Sequence, residues 1–168
     1  MKCSLIVAVD EQGGIGKNNN QRWYLPADMK FFKETTSGHV VILGRKNYES
    51  IPERFRPLPN RLNIVISRNT NYETNGAELV QSLDAALNLG RELQPESTQF
   101  IIGGGEIYKW SLDENRVDEM YVTHVHHVFD ADTFFPMDSL NEWQSEEILR
   151  YEKDEKNQYS FTIKRYWR

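Results

Sequence analysis

A single cysteine, Cys3, stands in a chain of 168 residues, so no intrachain disulfide can form. The fold must be held by packing and hydrogen bonds, which fits a reducing compartment. Basic residues are in the minority: 20 Lys and Arg against 25 Asp and Glu give a net charge of −5. Nucleic-acid binding normally shows as a basic excess or stripe, and no run of Lys and Arg makes one here, so no nucleic-acid partner is expected. Long apolar runs are missing as well. The run from Leu5 to Val9 is stopped by Asp10, too short for a signal-peptide core or a membrane span. A cytoplasmic protein with no membrane partner is therefore expected. No Pro/Ser/Gly-rich linker, internal repeat or low-complexity tract interrupts the chain, so residues 1–168 read as one domain.

What is present is ordinary globular material, with 39% hydrophobic and 27% charged residues. Cys3 to Val9 reads as a strand covered on both faces. Asp10 to Tyr24, polar and rich in Gly and Asn, reads as a long loop of the kind that often serves as a lid. Pro26 suits the first position of a helix reaching about Thr36. Val40–Leu43 and Leu62–Ser67 read as strands, with a short helix from about Gly44 to Ser50 between them. Ser82 caps a helix to about Leu89, with Gly90 as its stop. Phe100–Ile102 is a strand, and Gly103-Gly104-Gly105 opens a helix to about Leu112. Met120–His126, Thr133–Phe135, Trp143–Tyr151 and Tyr159–Trp167 all read as strands. The pattern predicts an α/β fold: a mostly parallel central sheet with an antiparallel C-terminal edge, flanked by about four helices.

Three segments could carry chemistry. Asp28 falls in the first turn of the Pro26 helix, beside Phe31 and Phe32 at helical spacing, with Trp23, Leu25 and Met29 nearby. A carboxylate among such groups is desolvated and its pKa rises. It could bind a heterocycle through paired N–H donors and help protonate it, or simply complement the helix dipole. The Gly103-Gly104-Gly105-Glu106-Ile107-Tyr108 segment joins a strand to a helix, where glycine lets backbone approach a ligand and helix N–H groups can face phosphate. It is not a Rossmann fingerprint, since Tyr108 stands where the last Gly would be; a tight turn is the other reading. Gly44-Arg45-Lys46-Asn47 and Ser67-Arg68-Asn69 each follow a strand, and together offer an anion site at neighbouring carboxyl ends. His124, His126 and His127 lack a further ligand at convincing spacing, so no metal is expected. Cys3, inside a strand, is a poor nucleophile.

Taken together, these segments resemble dihydrofolate reductase from end to end. The run Trp23-Tyr24-Leu25-Pro26-Ala27-Asp28-Met29-Lys30-Phe31-Phe32-Lys33 is similar to that family's active-site helix. Leu43 to Ile51, Arg56-Pro57-Leu58-Pro59-Asn60-Arg61, and Ile101 to Tyr108 resemble its next blocks, and Tyr121-Val122-Thr123 and Asp132-Thr133-Phe134-Phe135-Pro136 complete the order.

The resemblance implies reduction of dihydrofolate, with NADPH delivering hydride to pterin C6 while N5 is protonated through water. Asp28 would bind the 2-amino group and N3 side of the pterin; Trp23, Tyr108 and Thr123 would order the water and the ring edges. Ile6, Ala8, Met29, Phe32, Ile51, Leu58 and Ile102 would form the apolar slot. Arg61, with Lys33 nearby, would hold the glutamate tail through its α-carboxylate. On the cofactor side the resemblance implies Ala8, Ile15, Gly16, Gly44, Arg45, Lys46, Asn47, Ser67, Arg68, Asn69, Ile102, Gly103, Gly104, Gly105, Glu106, Ile107 and Tyr108. Among these, Arg45 and Arg68 would face the 2′-phosphate, and a cis peptide would fall at Gly103-Gly104. Antifolate inhibitors would share the substrate site, and a monomer is expected.

Some positions depart from the family's common bacterial pattern. Gln21-Arg22 replaces an apolar residue and proline, Pro52-Glu53-Arg54-Phe55 is a short insertion, Asn60 and Ala131 stand where Gly is usual, and Glu106 where a base can occur. Two other readings compete: a related pteridine or flavin-precursor reductase, and a catalytically silent folate- or nucleotide-binding module. The acid at Asp28 together with Arg61 favours folate reduction over both.

Overall fold

The computed structural model describes residues 2–168 apart from Asn19 and Arg22. In chain order the elements are β1 (Cys3–Val9), β2 (Gly14–Gly16), α1 (Pro26–Thr36), β3 (Val40–Gly44), α2 (Arg45–Ser50), β4 (Leu62–Ile66) and β5 (Glu78–Val80). Then come α3 (Leu83–Leu93), β6 (Gln99–Gly103), α4 (Gly105–Asp113), β7 (Glu119–Val125), β8 (Thr133–Phe134), β9 (Gln144–Tyr151) and β10 (Phe161–Trp167). Two 3₁₀ turns, Glu53–Phe55 and Met137–Glu142, complete the set.

Eight strands form one sheet in the order β5-β4-β3-β6-β1-β7-β10-β9. Pairing is parallel from β5 through β7, and β10 runs antiparallel to both β7 and β9. The expected mostly parallel sheet with an antiparallel C-terminal edge is what forms. Alternation sets the two faces. Leu5, Val7, Val40, Ile42, Ile64 and Ile101 belong to one buried cluster with α3 and α4 residues. Their neighbours Ile6, Val41 and Phe100 belong to another, which packs on Phe31 and Phe32 of α1. Each fully buried apolar side chain stabilises the fold by about 1.5–3 kcal/mol, so the continuous apolar runs dictate a sheet covered on both sides.

The topology also locates a crevice. From β3 the chain steps outward through β4 and β5, whereas β7 lies on the other side of β6 and β1. Connections that leave in opposite directions open a gap at the carboxyl ends of the central strands, where α/β sheets bind ligands.

Three local expectations need correction. Gly90 does not stop α3, which continues to Leu93. Gly90 is there because a Cβ would strike the Gln99 side chain and come within 3.3 Å of Val40 Cγ1; the glycine serves helix-on-sheet packing. The Asp10–Tyr24 segment is not all loop, since it contains β2. Thr133–Phe135 yields a two-residue strand that pairs with β2 in a separate ribbon, outside the main sheet. The strand β5 has no counterpart among the expected elements. Ser82, as expected, caps α3: its side chain accepts from Ala85 N–H at 3.0 Å.

Candidate active site

A cleft of about 1060 Å³ runs along the carboxyl ends of the central strands. It is lined by every expected site residue except Trp23, Lys33 and Arg61. Sequence reasoning missed Phe31, Pro52, Phe55, Gln81, Trp110 and Thr133 as lining residues. Pro52 and Phe55 come from the insertion, so that departure is a wall of the cleft. Helical spacing places Phe31 beside Asp28, a usable signal; Gln81 follows β5, which has no counterpart among the expected elements, and Thr133 falls in an expected strand that pairs with β2 outside the main sheet.

At one end the site is built from side chains. Asp28 is the third residue of α1, whose first turn has no side-chain cap of its own. Thr123, from β7, donates its hydroxyl to Asp28 Oδ1 at 2.7 Å. Met29, Phe31, Phe32, Ile6 and Leu58 line the same cleft and give it apolar walls. Burial therefore raises the Asp28 pKa from 3.8 to about 6, and the Thr123 hydrogen bond pulls it back only in part. At pH 7 such a group is still about 90% ionised. It can accept from paired N–H donors as a carboxylate, yet lies within reach of protonation.

Trp23 stays off the cleft wall. It is buried against Phe129, with ring centroids 4.9 Å apart, and its Nε1 has no hydrogen-bond partner among the described residues. A buried N–H without an acceptor is rare in a finished core. Tyr108 is in the cleft wall, but its hydroxyl is committed. It lies 2.8 Å from the carbonyl oxygens of both Ile6 and Ile102, and burial raises its pKa above the ordinary value. That geometry ties the ends of β1 and β6 together. Arg61 sits beside the cleft: its Nε donates to Pro59 O at 2.9 Å and its Nη1 to Thr36 Oγ1 at 3.0 Å. The guanidinium lies 5.9 Å from the Phe32 ring centroid, and Nη2 makes no bond among the described residues. Lys33 points to solvent.

At the other end the site is built from backbone. β6 ends in Gly103, whose φ of +128° suits glycine. The Gly103-Gly104 peptide is cis, as the resemblance implied. A Cβ on Gly103 would come within 2.8 Å of Asn47 Nδ2, whereas one on Gly104 would meet nothing within 4 Å. Gly104 caps α4 with no side-chain bond, so the N–H groups of the first turn face the open cradle. Asn47 Nδ2 donates to Ile102 O at 3.1 Å and ties α2 to β6. Arg45 opens α2 directly after β3, and its Nη1 pairs with Glu49 Oε1 at 2.8 Å. Ser67 and Arg68 follow β4. Glycine cradle, open helix start and flanking cations fit a dinucleotide phosphate donor set.

Between β1 and α1, Ile15, Gly16, Asn20 and Gln21 line the cleft, and acids pin the nearby backbone. Buried Asp10 accepts from Gln12 and Gly14 N–H groups, each at 2.8 Å, and from Phe129 N–H at 3.0 Å. Lys17 pairs with Asp130, and Asn18 N–H donates to Asp132 Oδ2 at 3.1 Å. Ala131 fits because its partner is a glycine: a Cβ on Gly14 would sit 2.8 Å from that of Ala131. Asn60 has a φ of +59°, a conformation that glycine adopts freely and asparagine better than most. Gln21 lines the cleft; Arg22 lies outside the described residues.

The remaining candidates take no part. Among the described residues no three His, Cys, Asp or Glu gather as a metal site. His124 is bonded to the Tyr166 hydroxyl at 2.8 Å, and His126 to Ser160 and Thr162 hydroxyls at 2.8 and 3.0 Å. Burial pushes the Cys3 thiol up to about 12, which makes it inert. No helix among the described residues is long and apolar enough to cross a membrane.

Comparison with known proteins meets this geometry. The family model for dihydrofolate reductase matches residues 2–168. The dihydrofolate reductase of Staphylococcus haemolyticus is 42% identical over 161 residues, covering 96% of this chain and 92% of the relative. The type 3 dihydrofolate reductase of Salmonella typhimurium is 41% identical, covering 95% of this chain and 94% of the relative. Among solved structures, the dihydrofolate reductase from Enterococcus faecalis complexed with NADP(H) and RAB-propyl superposes with a TM-score of 0.86. It is 35% identical, and the match covers 99% of this chain and 96% of that one. The chain belongs to the dihydrofolate reductase family.

Proposed function

We propose that this protein reduces dihydrofolate to tetrahydrofolate at the expense of NADPH and one proton. The observation that carries the reading is the half-desolvated Asp28 carboxyl, with its pKa raised to about 6, at one end of a cleft whose other end is a glycine cradle. NADPH, when bound, supplies hydride to pterin C6. The chain does the rest. Asp28 accepts from the 2-amino and N3 hydrogens, which orients the pterin and raises the basicity of N5, so that a proton reaches N5 from water. Thr123 holds that carboxyl in place. The apolar walls keep bulk water from the ring and so strengthen each polar contact. The unpaired Trp23 Nε1 orders a water or a ring-edge acceptor. Arg61 takes the glutamate α-carboxylate with its remaining donors.

On the cofactor side the first-turn N–H groups of α4 take the pyrophosphate. Arg45 and Arg68 select for the 2′-phosphate, and the protein's work is orientation and electrostatics. Antifolates that present paired N–H donors occupy the Asp28 end. The same reading makes the protein a cytoplasmic monomer. A catalytically silent module has no need of a carboxyl poised near neutral pH, and Asp28 argues against it.

The test is oxidation of NADPH by the purified protein, followed with and without dihydrofolate and repeated with NADH. Turnover that requires dihydrofolate and prefers NADPH is the expected result. A folded protein that binds both ligands without turnover would replace this reading with the silent module.

A further inference from the structure

Helix α1 starts without a cap of its own. Leu25 at the N-cap offers no side-chain acceptor and Pro26 has no N–H, so Ala27 carries the first amide that needs one. Its acceptor comes from 130 residues downstream: Ala27 N–H donates to Asn157 Oδ1 at 3.0 Å, in the loop between β9 and β10. Asn157 is 2% exposed.

The far side of that amide is fixed as well. Asn157 Nδ2 donates to Asp154 Oδ1 at 3.0 Å. The same oxygen accepts from the N–H groups of Lys156 and Asn157 at 2.9 and 2.7 Å, and Asp154 N–H closes the turn onto Asn157 O at 2.9 Å. With its donor end on a carboxylate, the amide can present only oxygen to Ala27. The next residue along α1 is Asp28. Its partner Thr123 lies opposite Ile163 of β10, so one hairpin sets the position of both members of the Thr123–Asp28 hydrogen bond.

We propose that Asn157 is a positioning residue for the reaction: by capping α1 from the β9–β10 loop, it fixes the first helical turn and holds the Asp28 carboxyl against Thr123 at the floor of the cleft. The proposal rests on the role given to Asp28 above. It separates substrate from cofactor, because Asn157 touches nothing at the glycine cradle. Loss of a helix cap of ordinary strength, felt at the bound substrate, corresponds to about a three- to tenfold loss of affinity.

The test compares full-length Asn157→Ala and Asp154→Ala with the parent chain, well below the unfolding temperature of each. Two quantities are read: KM for dihydrofolate against KM for NADPH, and the titration of the Asp28 carboxyl carbon by NMR in the free protein. In Asn157→Ala we expect KM for dihydrofolate to rise about three- to tenfold with KM for NADPH unchanged. We also expect the Asp28 midpoint to move from the parent's value, since both the burial of the carboxyl and its bond to Thr123 depend on that turn. Asp154→Ala, which keeps the amide but removes its support, should move both readouts the same way and by less. If both variants lose thermal stability while neither readout moves, Asn157 is only a structural tie and the proposal is overturned. Should Asn157→Ala fail to fold, Asp154→Ala, altered at an exposed turn, decides on the same readouts. A parent chain that does not reduce dihydrofolate would sink the proposed function, and the carboxyl titration would still decide this one.

Discussion

The two ends of the cleft are made in different ways. The cofactor end is mostly main chain: strand termini, the Gly103-Gly104 turn and the open start of α4. The substrate end is mostly side chain: Asp28 and Thr123, brought from α1 and β7, which lie 95 residues apart in sequence. A backbone site tolerates substitution wherever no Cβ intrudes, and its charge selectivity sits on a few exposed cations. A side-chain site concentrates its chemistry in one group and depends on whatever holds that group still. Mutations should therefore be graded at the first end, whereas at the second the severe effect should be confined to the one carboxyl.

The sharpest test of this difference is Asp28→Asn. Turnover at neutral pH should fall by about a hundredfold or more, the range for loss of an acid–base group, with partial recovery in acid as solvent supplies the N5 proton. KM for NADPH should hardly change. The same variant should be more stable than the parent at neutral pH. Because the folded pKa of about 6 exceeds the ordinary 3.8, the folded state binds the extra proton. Stability from this group is complete below 3.8 and is lost as pH rises through about 6, by at most about 3 kcal/mol. Denaturant melts of the two proteins across that window would show the gap open as pH rises.

Arg45→Ala probes the other end. It should raise KM for NADPH by about ten- to a hundredfold, as expected for one charge-assisted contact, and leave KM for NADH and dihydrofolate nearly unchanged. Equal effects on both nucleotides would remove the 2′-phosphate assignment. Gly90→Ala lies outside both ends. It should destabilise the chain by about 1–3 kcal/mol through overpacking against Gln99, with kcat per folded molecule intact. The smallest effect is that of Thr123→Val. Loss of one hydrogen bond, worth about 1 kcal/mol, should weaken dihydrofolate binding a few-fold. It should also raise the Asp28 midpoint further, because the bond that favours the charged form is gone.

The same contrast explains what could be read from the sequence. The glycine-cradle end, which we propose takes the cofactor, was legible as geometry because its signals are local: an apolar strand run, then glycines, then a helix, all within one segment. Asp28 was legible as a desolvated acid for the same reason, since its neighbours Met29, Phe31 and Phe32 share its helix. Thr123 could be assigned only through the family resemblance, since nothing in its own strand points to α1. Asn157 left no local signal at all; its partner is at the opposite end of the chain. The strands β2 and β8 of the ribbon are three and two residues long, too short for alternation to show their pairing. Gly90 was misread because a packing glycine and a stop glycine look alike until the facing side chain is known. The resemblance points to Tyr108 as a water-ordering group; the structure adds that its hydroxyl lies within bonding distance of two strand carbonyls, a contact no local pattern shows.

The account turns on Asp28, and the most direct measurement is the single-turnover rate of hydride transfer from NADPH to dihydrofolate as a function of pH, in the parent and in Asp28→Asn. The reaction consumes a proton, so the parent rate should be highest in acid and fall about tenfold per pH unit above a midpoint at or above 6. Asp28→Asn should be slower than the parent throughout, recover only in part in acid, and lack that midpoint. A parent rate that is flat from acid to neutral pH, or a variant that keeps the parent's midpoint, would contradict the role assigned to this carboxyl.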